Sequence, residues 1–173
     1  STMAAVANAK AAQEAGADTL LIFPTPAYLN DPLDDRIPYL YHKAIIEAVN
    51  LPIVAFQLGL VFGGANFTPS SLEKLLELPQ IIGIKDASFD AQIFVAACDI
   101  VRRANHPITL LSGNDPFMLE SFLLGASGGL LGFGAVGVGL LNEMLTAVRE
   151  KRFNEAAAMQ PKVQGFCDYI YAK

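Results

Sequence analysis

The sequence predicts an α/β fold built on a parallel sheet, and three observations carry that prediction. Five short runs are almost wholly apolar instead of alternating, as strands covered on both faces require. Segments of helical periodicity separate them. The runs recur about every 20 to 33 residues, a spacing that suits right-handed βαβ crossovers. At 173 residues, 53% of them hydrophobic, the chain has the length of one ordinary domain and enough apolar material for a core.

Taken in order, strands are expected at 19–23 (TLLIF), 52–56 (PIVAF), 81–85 (IIGIK), 108–111 (ITLL) and 129–131 (GLL). Helices are expected at 1–15, 38–49, 69–77, 88–104, 114–124, 139–150 and 153–171. Gly16 and Gly125 stand where left-handed helix C-caps belong. Thr68 before Pro69 reads as an N-cap and the first helical position, and Asn114 or Asp115 before Pro116 repeats the device. Segments 14–23 and 123–133 share a helix–Gly–Ala–turn–strand pattern, a repeated βα unit.

This pattern fits two architectures: an open doubly wound sheet, or part of a (β/α)8 barrel, which needs about 250 residues and eight strands. In the second case the chain, which opens on a helix, is the later part of a barrel and is truncated. Residues 1–150 are then the partial barrel, and 151–173 begin a C-terminal helical region. A five-stranded open sheet has two unpaired edges, so such a segment is expected to be unstable alone or completed by another.

Composition narrows the function. Against 12 Lys+Arg stand 17 Asp+Glu, a net charge of −5 with no basic run, which argues against a nucleic-acid partner. Cys98 and Cys167 are too few for a disulfide framework and read as buried thiols. His42 and His106 are far apart, and no Cys/His spacing suits zinc, so no metal site is expected. Lys10 and Glu14 interrupt the N-terminal stretch, which has no secretory pattern. Residues 121–141 carry no charge, but each of the seven glycines among them costs a helix about 1 kcal/mol, which argues against a membrane span. A cytoplasmic chain without a cofactor is expected.

Lys85 is the most informative residue. It ends an apolar strand, where a period of two puts Ile81, Gly83 and Lys85 on one face. Gly83 then leaves room for a small ligand beside the amine. Desolvation lowers a lysine's pKa and exposes the neutral amine that Schiff-base chemistry needs. A snorkelling lysine, or one paired with Asp86, fits the pattern equally well.

Other candidates are weaker. Gly132–Gly137 is a literal G-x-G-x-x-G, but helix instead of strand and acid follows it, so the glycines read as a tight loop at a pocket mouth, not an NAD site. Gly125–Gly129 is a literal G-x-S-x-G in a helix–turn–strand order, with no histidine downstream, so a serine hydrolase is rejected. Loop 24–37 is long for a βα connection and carries Tyr28. Ser112–Asp115 offers amide donors at a helix start, although an ordinary N-cap turn reads the same way.

The order GAD-x-L-L-x-x-P, a tyrosine-bearing loop, LPIV, GIKDAS, SGND and GASGGLLG resembles the dihydrodipicolinate synthase/N-acetylneuraminate lyase family along essentially the whole chain. The resemblance implies a (β/α)8 barrel, of which this chain holds the region from the third helix through the eighth strand and helix. It implies a class I lyase or aldolase acting on pyruvate or another 2-keto acid, and a homo-oligomer, dimeric or tetrameric. Lys85 would form the imine, and Leu130 would offer a backbone oxygen to the substrate. Tyr28 would be the fourth-strand loop tyrosine, with Phe56, Gly83 and Gly113 lining the substrate. The chain departs from the family at Phe56-Gln57-Leu58-Gly59, where a Tyr-Asn-x-Pro tyrosine relays protons. Val61 stands where the synthase has an arginine for its second substrate's carboxylate. The Thr-Thr segment holding the keto-acid carboxylate belongs to strands before the matched region. These departures also fit a catalytically altered or silent barrel that binds a small acid or serves as a scaffold.

Overall fold

The computed structural model describes residues 1–29, 34–132 and 134–171. Its strands are β1 (Leu20–Ile22), β2 (Ile53–Leu58), β3 (Ile81–Ala87), β4 (Thr109–Ser112) and β5 (Gly128–Gly129). All pair in parallel in the order β1-β2-β3-β4-β5. Each strand lies beside its predecessor with no reversal of order, which is barrel progression and excludes the doubly wound alternative. Among the described residues, β1 and β5 each pair on one side only.

The helices are α1 (Thr2–Glu14), α2 (Arg36–Ile46), α3 (Pro69–Leu75), α4 (Ala91–Arg103), α5 (Met118–Leu124), α6 (Gly134–Arg149) and α7 (Phe153–Ile170). Their punctuation follows the sequence. Thr68 Oγ1 accepts from Ser71 N at 3.1 Å with Pro69 next, and Asp90 Oδ1 accepts from Gln92 N at 2.8 Å. Gly16 and Gly125 have φ of 88° and 111°, the left-handed conformation that glycine adopts without a Cβ penalty. Helix α4 turns Phe94, Ala97, Cys98 and Ile100 inward at helical spacing, against a core that includes Ile53, Ile81 and Ile84.

Three local expectations are corrected. Strand β3 runs two residues past Lys85, and the register moves from Ile53↔Ile81 to Val54↔Gly83. The extra residue, Ile82, is a bulge that breaks the alternation, so Ile81 and Gly83 do not share a face. Helix α6 starts at Gly134, so Gly134 and Gly137 lie within its first turns instead of forming a loop. Asn114 makes no side-chain cap on the turn that follows it. Helix α5, strand β5 and helix α6 divide the uncharged stretch 121–141, and no described helix is long and apolar enough to cross a membrane.

Candidate active site

Strands β2 and β3 set Phe56 beside Lys85 and Gln57 beside Asp86. Neighbouring positions on a strand point to opposite faces, so one pair faces the barrel axis and the other the helices. On the axial side, Lys85 Nζ lies 4.1 Å from the centroid of the Phe56 ring, and Phe23 packs edge-on against that ring at 4.9 Å. Phe56 is buried and Lys85 half-buried. Burial lowers the Lys85 pKa below the ordinary lysine value, and the charge of Asp115 opposes part of that shift.

The glycine that makes room for the amine is Gly113, which follows β4. A Cβ there would come within 2.7 Å of Ala87 Cβ and 2.9 Å of Lys85 Cε. Gly83 has another reason: a Cβ there would meet the Thr109 carbonyl oxygen at 2.9 Å. Its place in the fold is a close approach of two strands, not an opening beside the amine.

On the helix side, Asp86 is fully buried and does not pair with Lys85. It accepts from Gln57 Nε2, from Ser88 N at 3.0 Å, from Ser88 Oγ at 2.8 Å and from Asn114 Nδ2 at 3.0 Å. Asn114 Oδ1 in turn accepts from Phe89 N at 2.7 Å, which holds Phe89 at φ 57°. A buried carboxylate satisfied on both oxygens stiffens the C-terminal ends of β2, β3 and β4 together. The loop amides expected to bind a ligand are used internally: Gly113 N donates to Asp86 O at 2.6 Å and Asn114 N to Ser112 Oγ at 3.2 Å.

Asp115, next along, is 1% exposed. Its Oδ2 accepts from Tyr171 Oη, and its carbonyl accepts from Cys167 Sγ at 3.1 Å. Oδ1 is buried without a hydrogen-bond partner among the described residues. Burial and the Asp115 carboxylate push the Tyr171 phenol well above its ordinary pKa.

The remaining expected residues separate into two groups. Leu130 directly follows β5, and its N donates to Ser112 O at 2.8 Å, at the same end of the sheet as Lys85. Tyr28 is turned into the interior, where its ring meets Tyr41 and Phe67 and its hydroxyl lies 3.4 Å from His42 Nδ1. Part of its loop, 30–33, lies outside the described residues. Sequence reasoning read Asp115 only as a cap or part of an amide-donor turn, and passed over Tyr171 and the Asp86 network. Gln57, a polar residue inside an apolar strand, was the signal for the network.

The whole chain, residues 1–173, matches the Dihydrodipicolinate synthetase family. Over 171 residues it is 29% identical to the 4-hydroxy-tetrahydrodipicolinate synthase of Syntrophus aciditrophicus, covering 99% of this chain and 56% of that protein. Over 129 residues it is 36% identical to the same enzyme of Thioalkalivibrio sulfidiphilus, covering 74% of this chain and 41% of that one. It also resembles the crystal structure of the chloride-inhibited dihydrodipicolinate synthase from Acinetobacter baumannii complexed with pyruvate. That likeness has a TM-score of 0.83 at 27% identity, over 100% of this chain and 57% of the other. The chain thus spans about half the length of the relatives it matches. With five parallel strands in barrel order, it is an incomplete (β/α)8 barrel and belongs to the dihydrodipicolinate synthetase family.

Proposed function

We propose that the protein is a class I lyase or aldolase in which Lys85 forms a Schiff base with pyruvate or another small 2-keto acid. The carrying observation is one half-buried amine set over the Phe56 ring, with its pKa lowered by burial. The neutral amine attacks the keto carbon, and uptake of one proton with loss of water leaves a protonated imine that accepts electrons from the neighbouring bond. Carbon–carbon cleavage or formation then proceeds through the enamine. Gly113 leaves the lysine stem its space, and the Asp86 network holds the strand that carries the amine. Leu130 and Phe56 border the keto acid, and Tyr28 supports the fold from behind. Family resemblance supports a homo-oligomer. Neither a metal nor a cofactor is required by this chemistry.

Exchange of the pyruvate methyl protons for deuterium, followed by NMR, tests the reading, because exchange requires the enamine. The protein is expected to catalyse it and Lys85→Ala to abolish it; equal exchange by both would overturn the proposal. Phe56, which has no hydroxyl to relay a proton, favours a second reading, a barrel that binds a small acid with little turnover.

A further inference from the structure

An imine turns into an enamine only if some group removes a proton from the adjacent carbon. Around Lys85 the polar groups that could do so are committed elsewhere. Phe56 carries no hydroxyl, and Tyr28 is turned inward toward His42. Both oxygens of Asp86 accept hydrogen bonds on the helix side. Ser88 Oγ donates to Asp86 at 2.8 Å, and Ser112 Oγ donates to Ser121 Oγ at 2.9 Å. Cys167 Sγ donates to the Asp115 carbonyl at 3.1 Å, and burial pushes its thiol up to about 11.

The side chain of Asp115 is the exception. It stands two residues beyond Gly113, the glycine that leaves the Lys85 stem its space, at the start of the 3-10 turn Asp115–Phe117. The segment after β5 approaches it as well: a Cβ on Gly132 would lie 3.5 Å from Asp115 Oδ2 and 3.4 Å from Tyr171 Oη. Asp115 is 1% exposed, and its Oδ2 is held by the Tyr171 hydroxyl. Its Oδ1 has no hydrogen-bond partner among the described residues. A buried carboxylate oxygen in that condition is costly unless a charge or a proton meets it. Asp115 is also the carboxylate whose charge Lys85 feels.

We infer that Asp115 is the base that takes the proton from carbon 3 of the Lys85-bound keto acid and returns it, with Tyr171 as the positioning residue that holds its second oxygen. The inference rests on the Schiff-base reading and names the proton carrier for that same site. The C–H bond at carbon 3 breaks, and its electron pair forms the double bond between carbons 2 and 3. The imine π pair settles on the Lys85 nitrogen, and the carboxylate becomes a carboxylic acid. Solvent exchanges the acid proton, and its return to carbon 3 reverses each change, with nothing oxidised or reduced.

Two readouts on the full chain separate this step from imine formation: borohydride trapping of pyruvate on Lys85, and deuterium exchange of the pyruvate methyl protons. Asp115→Asn is expected to keep the trapped adduct and to lose exchange by about a hundredfold or more. Adding Phe56→Tyr to Asp115→Asn is expected to restore part of the exchange, which damage to the fold alone would not allow. Tyr171→Phe keeps the ring among Phe62 and Phe89 and removes only the hydroxyl, so it is expected to trap pyruvate normally and to exchange more slowly. If Asp115→Asn does not fold, Tyr171→Phe decides alone. Exchange by either variant equal to that of the unsubstituted protein, with the adduct formed, overturns the inference and leaves the Schiff-base reading standing. Failure of the unsubstituted protein to trap pyruvate removes the Schiff-base reading and this inference with it.

Discussion

Gly113 and Lys85 are in contact across neighbouring strands: a Cβ on the glycine would stand 2.9 Å from the lysine Cε. The same Cβ would stand 2.7 Å from Ala87 Cβ, which has no freedom to turn aside. Gly113→Ala therefore forces the strand ends apart or pushes the lysine stem away from Phe56. Overpacking of this kind costs about 1–3 kcal/mol. A lowered urea midpoint, together with slower imine formation on pyruvate, is the expected outcome.

His42 predicts an acid-sensitive fold. It is fully buried, and burial lowers its pKa from 6.5 to about 4. Between those values the unfolded chain binds a proton that the folded chain does not, so stability is complete above pH 6.5 and falls as pH drops toward 4. The full difference corresponds to about 3 kcal/mol. His42→Phe is expected to lose this component, and unfolding free energies of both proteins across that range check it.

The parallel sheet was legible because burial on both faces leaves apolar runs, and all five runs overlap strands, the last at Gly129 alone. Caps at Thr68 and Gly125 were legible because each satisfies a local backbone requirement. Three features were not. A bulge at Ile82 depends on the pairing of β2 with β3, so periodicity within one strand put Ile81 on the face of Gly83 and Lys85. Helix α6 runs through glycines whose intrinsic preference is against it, because it is held by packing of Leu141, Met144 and Ala147. At the candidate site, Lys85 stood out as a charge in an apolar strand, whereas Asp115 and Tyr171 are 56 residues apart and only the fold brings them together.

Asp115 sets how readily the amine loses its proton. Its negative charge favours the ammonium form of Lys85 and opposes the lowering caused by burial. Asp115→Asn removes that charge while keeping the size of the side chain, so the Lys85 pKa is expected to fall further. The pH midpoint for imine formation with pyruvate should move to lower pH; an unchanged or higher midpoint would contradict this role.

Phe56 lies where a hydroxyl would be next to the lysine, since its ring is 4.1 Å from Nζ. Phe56→Tyr adds a proton-transferring group at that place. General acid–base assistance is worth about 10²–10⁴-fold, so a rise of at least tenfold in pyruvate deuterium exchange is expected. No gain, with the fold intact by circular dichroism, would mean that protons reach the site by another route.

The most direct measurement is borohydride reduction in the presence of pyruvate, with the adduct located by peptide mass spectrometry. The account predicts one stable adduct, on Lys85, and none when Lys85 is replaced by Ala. Absence of an adduct across several 2-keto acids, or an adduct on another lysine that persists in Lys85→Ala, would contradict it.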